Sequence, residues 1–160
     1  MNAPIRPGAE PMSRDGQGAL GRIGILVLHG FTGSPVSVRP LAERLSQRGF
    51  AVEMPLLPGH GTQPKDLLPT RYADWRAEAL AALTRLRARS QQVVLVGLSM
   101  GGTLALDLAT TEPVDGVVTI NAQILDRGGL IVKLAPIIEK VIPIAPASAD
   151  KLSPPTKKLN

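Results

Sequence analysis

Cysteine is absent from the 160 residues. Its absence removes disulfide frameworks, thiolate nucleophiles and thiolate metal centres from consideration and leaves the redox compartment open. Histidine is almost as scarce, with two in the whole chain, His29 and His60. An imidazole base must therefore be one of these two or come from outside the sequence. No carboxylate or cysteine pattern accompanies them at metal-ligand spacing, so no metal is expected. Long apolar runs are lacking too. The opening "MNAPIRPGAEPMSRDGQGALGR" has no continuous apolar core of the signal-peptide kind, which makes a cytoplasmic location the expectation. The most apolar late stretch, Leu130 to Ile144, is broken by Lys133, Glu139, Lys140 and two prolines, so stable membrane insertion is not expected. The net charge of +5 is spread along the chain. Only Arg85, Arg87 and Arg89 cluster, at the end of an expected helix where cations suit the macrodipole, and a nucleic-acid partner is not expected.

What is present is the composition of a globular domain. With 44% hydrophobic and 19% charged residues, a chain of this length can bury roughly 70% of its unfolded surface. Four short runs rich in branched residues read as buried strands: Ile23 to Leu28, Phe50 to Met54, Val93 to Val96 and Val117 to Ile120. Helical spacing separates them. Val38, Leu41 and Leu45 precede Gly49 as a stop; Tyr72, Trp75, Ala79, Leu83 and Leu86 form a second stripe with Thr70 as its expected cap; Leu104 and Leu108 mark a third helix ended by Pro113. The alternation βαβαβαβ demands a doubly wound, mostly parallel α/β sheet with helices on its faces. Residues 1–22 are expected to be a mobile arm and residues 23–121 the core. In 122–160, apolar positions at Leu130, Leu134, Ile137, Ile138 and Val141 suggest a helix kinked at Pro136.

Ligands bind such sheets at the C-terminal ends of the strands, and two loops fall there. In "VVLVGLSMGG" the glycines Gly97 and Gly101 flank Ser99 as G-x-S-x-G, a spacing that permits a sharp strand-to-helix turn and lifts the hydroxyl above the sheet. In "LHGFTGSP", Gly30 and its neighbours would let backbone amides face a bound group. The tetrahedral oxyanion of acyl transfer needs two such donors, and the backbone N–H groups of Phe31 and Met100 are the candidates. His29 is expected to orient its loop and His60 to hydrogen-bond within its own. The segment "GQGALG" matches G-x-G-x-x-G but leads into a strand instead of leaving one, so it is not a dinucleotide site. No cofactor is expected. Asp107, Asp115 and Asp126 each have a plainer role than that of a catalytic acid.

The stretches "LVLHGFTGSP", "LAERLSQRGFAVEMPLLPGHGT", "YADW", "VVLVGLSMGGTLAL" and "VDGVVTINA" together resemble the α/β-hydrolases, in particular the bacterial carboxylesterases and monoacylglycerol-lipase-like enzymes. The resemblance implies Ser99 as nucleophile, Phe31 and Met100 as oxyanion donors, supporting roles for Gly97, Gly101, His29 and Gly30, and small carboxylic esters, monoacylglycerols among them, as substrates. It implies that 122–160 begins a lid or cap. The pattern differs from the family's in one respect: the triad acid and histidine, which follow the lid in chain order, and the last strands of the sheet have no counterpart here. The alternative to an esterase is therefore a truncated, catalytically inactive or partner-dependent module of the same fold.

Overall fold

The computed structural model describes residues 3–123, so all but the first two residues of the expected lid segment, Asp126 included, lie outside the described residues. Five strands and three α-helices follow in order: β1 (Met12–Arg14), β2 (Ile23–Leu28), α1 (Arg39–Gln47), β3 (Ala51–Met54), α2 (Tyr72–Arg87), β4 (Gln92–Leu98), α3 (Met100–Thr111) and β5 (Gly116–Ile120). The strands form one sheet in the order β1-β3-β2-β4-β5, parallel except for β1.

Side-chain alternation along each strand explains the two layers of helix. Leu26 and Leu28 of β2, with Val93 and Leu95 of β4, face Ala79, Ala82, Leu83 and Leu86 of α2 and Leu104, Ala105 and Leu108 of α3. The intervening residues Ile25, Val27, Val52, Met54 and Val96 face Ala42 of α1 and Val38 just before it. Because successive side chains on a strand point to opposite faces, a continuous apolar run is what a strand covered on both sides requires. The doubly wound arrangement read from the alternation is the one observed.

Within the stretch expected to be a mobile arm, residues 12–14 form a strand. Met12 is buried, and β1 pairs antiparallel with β3 through Met12↔Met54, Ser13↔Glu53 and Arg14↔Val52. Further anchors are Arg6 N–H to the Gly61 carbonyl at 2.8 Å, Gln17 N–H to that of Gly49 at 2.8 Å, and Arg39 Nε to that of Gly8 at 2.8 Å. The physical reason is the open edge of β3, whose unpaired backbone groups are satisfied by a three-residue strand too short to show a period.

Glu53 lies among the apolar residues of β3 and is only 2% exposed. It accepts from Ser13 Oγ at 2.6 Å and Arg89 Nη2 at 2.7 Å, with Arg85 Nε at 3.4 Å. Arg87 pairs with Glu112 at 2.7 Å. The arginine cluster thus has acidic partners, two of its members converging on one buried carboxylate that ties β1 to the end of α2. The cap of α2 is also corrected. Arg71 occupies the position, its N–H donating to the Asp74 carboxylate at 2.7 Å, whereas the Thr70 hydroxyl donates to the Leu67 carbonyl at 2.7 Å and accepts from Trp75 Nε1 at 3.2 Å. The carboxylate at the third helical position thus accepts from the N–H of the capping residue, the reciprocal half of a capping box.

Replacing Glu53 by Leu strands two guanidinium groups beside an apolar strand. Because Arg89 and Arg85 are partly solvated, with 25% and 50% of their side chains exposed, the expected cost is about 2 kcal/mol, below the range for fully buried pairs. Urea unfolding checks it, with Arg85→Ala expected to cost less than about 1 kcal/mol.

Candidate active site

β4 ends at Leu98 and α3 begins at Met100, so Ser99 alone makes the turn. Its φ of 53° and ψ of −120° lie where a side chain is strained, at a typical cost of about 1–3 kcal/mol. The surroundings hold it there. Ser99 N–H donates to the Ile120 carbonyl of β5 at 2.8 Å, and the Ser99 carbonyl accepts from Gly102 N–H at 2.8 Å and Thr103 N–H at 3.2 Å as the first turn of α3. Side-chain-free neighbours make the turn possible: a Cβ on Gly97 would stand 2.2 Å from the Gly101 carbonyl oxygen, and one on Gly101 2.4 Å from that of Leu28. The serine itself is exposed.

The loop after β2 arrives beside it. A Cβ on Gly30 would lie 3.3 Å from Ser99 Cβ and 3.9 Å from Ser99 Oγ. The Gly30 carbonyl accepts from His29 Nδ1 at 3.0 Å and Gly33 N–H at 3.2 Å. In a trans peptide the carbonyl and the following N–H point in opposite directions, so these two bonds also set the direction of the Phe31 N–H. Neither the Phe31 nor the Met100 N–H has an acceptor among the described residues. The Phe31 ring is 53% exposed.

His29 is fully buried. Leu57 N–H donates to its Nε2 at 3.2 Å, so the proton resides on Nδ1 and both ring nitrogens are occupied. Burial pushes its pKa from 6.5 down to about 4; the bond to the Gly30 carbonyl opposes the shift and His60 adds to it. His60, 3% exposed, places Nδ1 3.0 Å from the Pro58 carbonyl oxygen, the contact within its own loop that was expected. Its pKa is likewise lowered by burial, against the pull of the Pro58 and Leu57 carbonyls.

Ser99, Gly30, His29, Phe31, Met100, Gly97 and Gly101 are therefore brought together where β2 and β4 end. The aspartates stay out of the constellation: Asp107 pairs with Arg76 at 2.8 Å and Asp115 accepts from Val93 N–H at 2.6 Å. "GQGALG" ends in a 3-10 turn, Gly18–Arg22, that feeds β2. Three participants escaped the sequence reading. Trp75, expected only as part of a core stripe, donates through Nε1 to the Pro58 carbonyl at 3.1 Å and packs against Phe31 and His60 with ring centres 5.7 Å and 5.5 Å apart. Leu57 and Pro58 matter through their backbone, for which the Pro-Gly pair of a tight turn was the available signal.

A doubly wound sheet that ends one strand in a left-handed serine followed at once by a helix defines the α/β-hydrolase class, and the chain belongs to the alpha/beta hydrolase family, which it matches over residues 25–157. Among relatives, it is 43% identical to the thermostable monoacylglycerol lipase of Bacillus sp. (strain H-257) over 122 residues, 76% of this chain and 47% of that protein. It is 35% identical to a carboxylesterase of Bacillus subtilis (strain 168) over 99 residues, 61% of this chain and 40% of the relative. A solved structure from work on the metagenome-derived lipolytic enzymes LipS and LipT superposes with a TM-score of 0.75 at 40% identity, covering 82% of this chain and 53% of the other. The chain spans about half the length of the curated relatives it matches. No helix among the described residues is long and apolar enough to cross a membrane.

The lowered pKa of His29 sets a pH dependence. Between its ordinary value of 6.5 and about 4 the unfolded chain binds the proton more readily than the folded one, so this stabilisation is complete above pH 6.5 and is lost as the pH falls towards 4. The expected slope from His29 is at most about 1.4 kcal/mol per pH unit, approached midway between the two values, with His60 adding in the same direction. Urea unfolding between pH 6.5 and 5 measures it; equal slopes for the wild type and His29→Asn would contradict the assignment.

Proposed function

We propose that this chain carries the nucleophile and oxyanion hole of a serine hydrolase of carboxylic esters. The observation that carries the reading is an exposed Ser99, held at φ 53° at a helix start and in contact with a glycine loop. Ser99 Oγ attacks the ester carbonyl carbon as a base takes its proton. The resulting oxyanion accepts from the Phe31 and Met100 amides, aimed in advance at the charge that develops. Collapse expels the alcohol with that proton and leaves an acyl-Ser99 ester, which water hydrolyses by the same steps in reverse order. Small esters, monoacylglycerols among them, are the substrates suggested by relatives named monoacylglycerol lipase and carboxylesterase.

The base is a separate matter. His29 has both nitrogens engaged, and His60 is buried against its own loop. With no third histidine in the sequence, the histidine of the triad is assigned to a group outside these 160 residues. That observation favours, as a second reading, a module that is inactive or partner-dependent by itself. Without a triad base, only about 10³ to 10⁴ of the acceleration over water survives, from the oxyanion hole and binding.

Intact mass after treatment with a fluorophosphonate, on folded 160-residue chain, tests both parts. The Ser99 oxygen–phosphorus bond forms as fluoride leaves with the serine proton. Slow labelling at Ser99, absent in Ser99→Ala, is the expected result. Rapid labelling would show that a base is already present and overturn its assignment elsewhere; modification of some other residue would overturn Ser99 as nucleophile.

A further inference from the structure

One of the two oxyanion donors is the Phe31 N–H, whose direction is set by a chain of contacts that starts outside the G-x-S-x-G turn. After β3 the chain turns through Leu57-Pro58-Gly59-His60, with His60 N–H donating to the Leu57 carbonyl at 3.1 Å and Gly59 at φ 76°. This is the geometry in which proline fits the second position and glycine the third. The turn presents two backbone groups in different directions. Leu57 N–H points at His29 Nε2. The Pro58 carbonyl accepts twice, from His60 Nδ1 at 3.0 Å and Trp75 Nε1 at 3.1 Å. The rings of these donors then form a wall: His60 meets His29 edge-on with centres 5.0 Å apart and Phe31 at 6.2 Å, and Trp75 meets Phe31 at 5.7 Å.

Following the hydrogen bonds inward, the shared Pro58 carbonyl anchors the turn, the turn fixes Leu57 N–H, Leu57 N–H selects the Nδ1–H tautomer of His29, and His29 Nδ1–H holds the Gly30 carbonyl. The Phe31 N–H is the other end of that same peptide plane. We propose that His60 and Trp75 are positioning residues for the Phe31 amide, acting through the shared Pro58 carbonyl and the His29 tautomer. This inference rests on the reading of Phe31 as an oxyanion donor. It assigns His60 work through Nδ1 only: Nε2 is buried without a partner among the described residues. That asymmetry separates the proposal from a role as base. Asparagine places its amide nitrogen where histidine has Nδ1 and has nothing at Nε2, so it keeps the positioning donor and discards the base.

Two measurements on the full 160-residue chain test this. Side-chain nitrogen–proton correlation spectra at pH 7.5 are expected to show both histidines as Nδ1–H tautomers. In His60→Phe, which keeps the ring and loses the donor, the His29 nitrogen signals and the Phe31 backbone amide are expected to move; in His60→Asn they return towards the wild type. Fluorophosphonate labelling of Ser99 at a single pH is expected to slow about tenfold in His60→Phe, to slow several-fold in Trp75→Phe, and to stay within about threefold of the wild type in His60→Asn. Unchanged His29 and Phe31 signals in His60→Phe, or an unchanged labelling rate, would overturn the proposal. So would loss of labelling in folded His60→Asn equal to that in His60→Phe, since Nε2 would then be the working atom. If His60→Phe fails to fold, Trp75→Phe carries the same two readouts. A wild type that never labels at Ser99 counts against the hydrolase reading, while the spectra still decide whether His60 controls the Phe31 amide.

Discussion

Backbone touching backbone where β2 and β4 end side by side is the contact on which the rest of the arrangement depends. A Cβ on Gly101 would stand 2.4 Å from the Leu28 carbonyl oxygen, and one on Gly97 2.2 Å from that of Gly101. No side chain other than hydrogen fits between these atoms. The helix α3 can therefore begin against the end of β2, and Ser99 arrives beside Gly30 without a loop to carry it. A residue at positive φ persists only where its neighbours over-determine it. Here they do: β2 and β4 are paired along six residues, from Ile23↔Gln92 to Leu28↔Gly97, and β5 takes the Ser99 N–H.

Around this contact the polar groups are committed to shape. An imidazole buried in an apolar layer is cheapest when neutral and hydrogen-bonded. His29 meets both conditions, with a backbone donor on one nitrogen and a backbone acceptor on the other. The same economy governs Glu53, a carboxylate inside the sheet layer whose oxygens face a serine hydroxyl and two guanidinium groups. On the proposed reading the described half of the site therefore supplies a nucleophile and a rigid place for negative charge, with its imidazoles used as struts. On the same reading the histidine that transfers the proton is neither of these, since His29 has both ring nitrogens engaged and His60 uses Nδ1 within its own loop.

The elements that were legible in the sequence are those with a local period or an obligatory residue. β2 shows as an apolar run rich in branched residues because both its faces are covered, and α1 shows as an amphipathic stripe closed by Gly49. The serine turn was legible because glycine at two fixed offsets is a steric requirement, not a preference. What stayed hidden was set by distant partners. β1 has three residues and no pattern of its own; it is a strand because β3 has an open edge. Glu53 read as one residue of a strand, since nothing nearby announces that Arg85 and Arg89 will reach it from the end of α2. Thr70 was a reasonable cap by type, yet Arg71 and Asp74 cap the helix and leave Thr70 to the indole of Trp75.

The amino-acid order alone determined the alternation of strand and helix, the two-sided burial of the sheet and the identity of the serine at its rim, because each follows from spacing along a few consecutive residues. The tertiary structure alone decided which nitrogen of His29 carries the proton, where the Phe31 N–H points and why residues 12–14 join the sheet. These depend on hydrogen bonds between segments tens of residues apart, Leu57 with His29 and Met12 with Met54 among them, and pairings across such distances leave no trace in local periodicity.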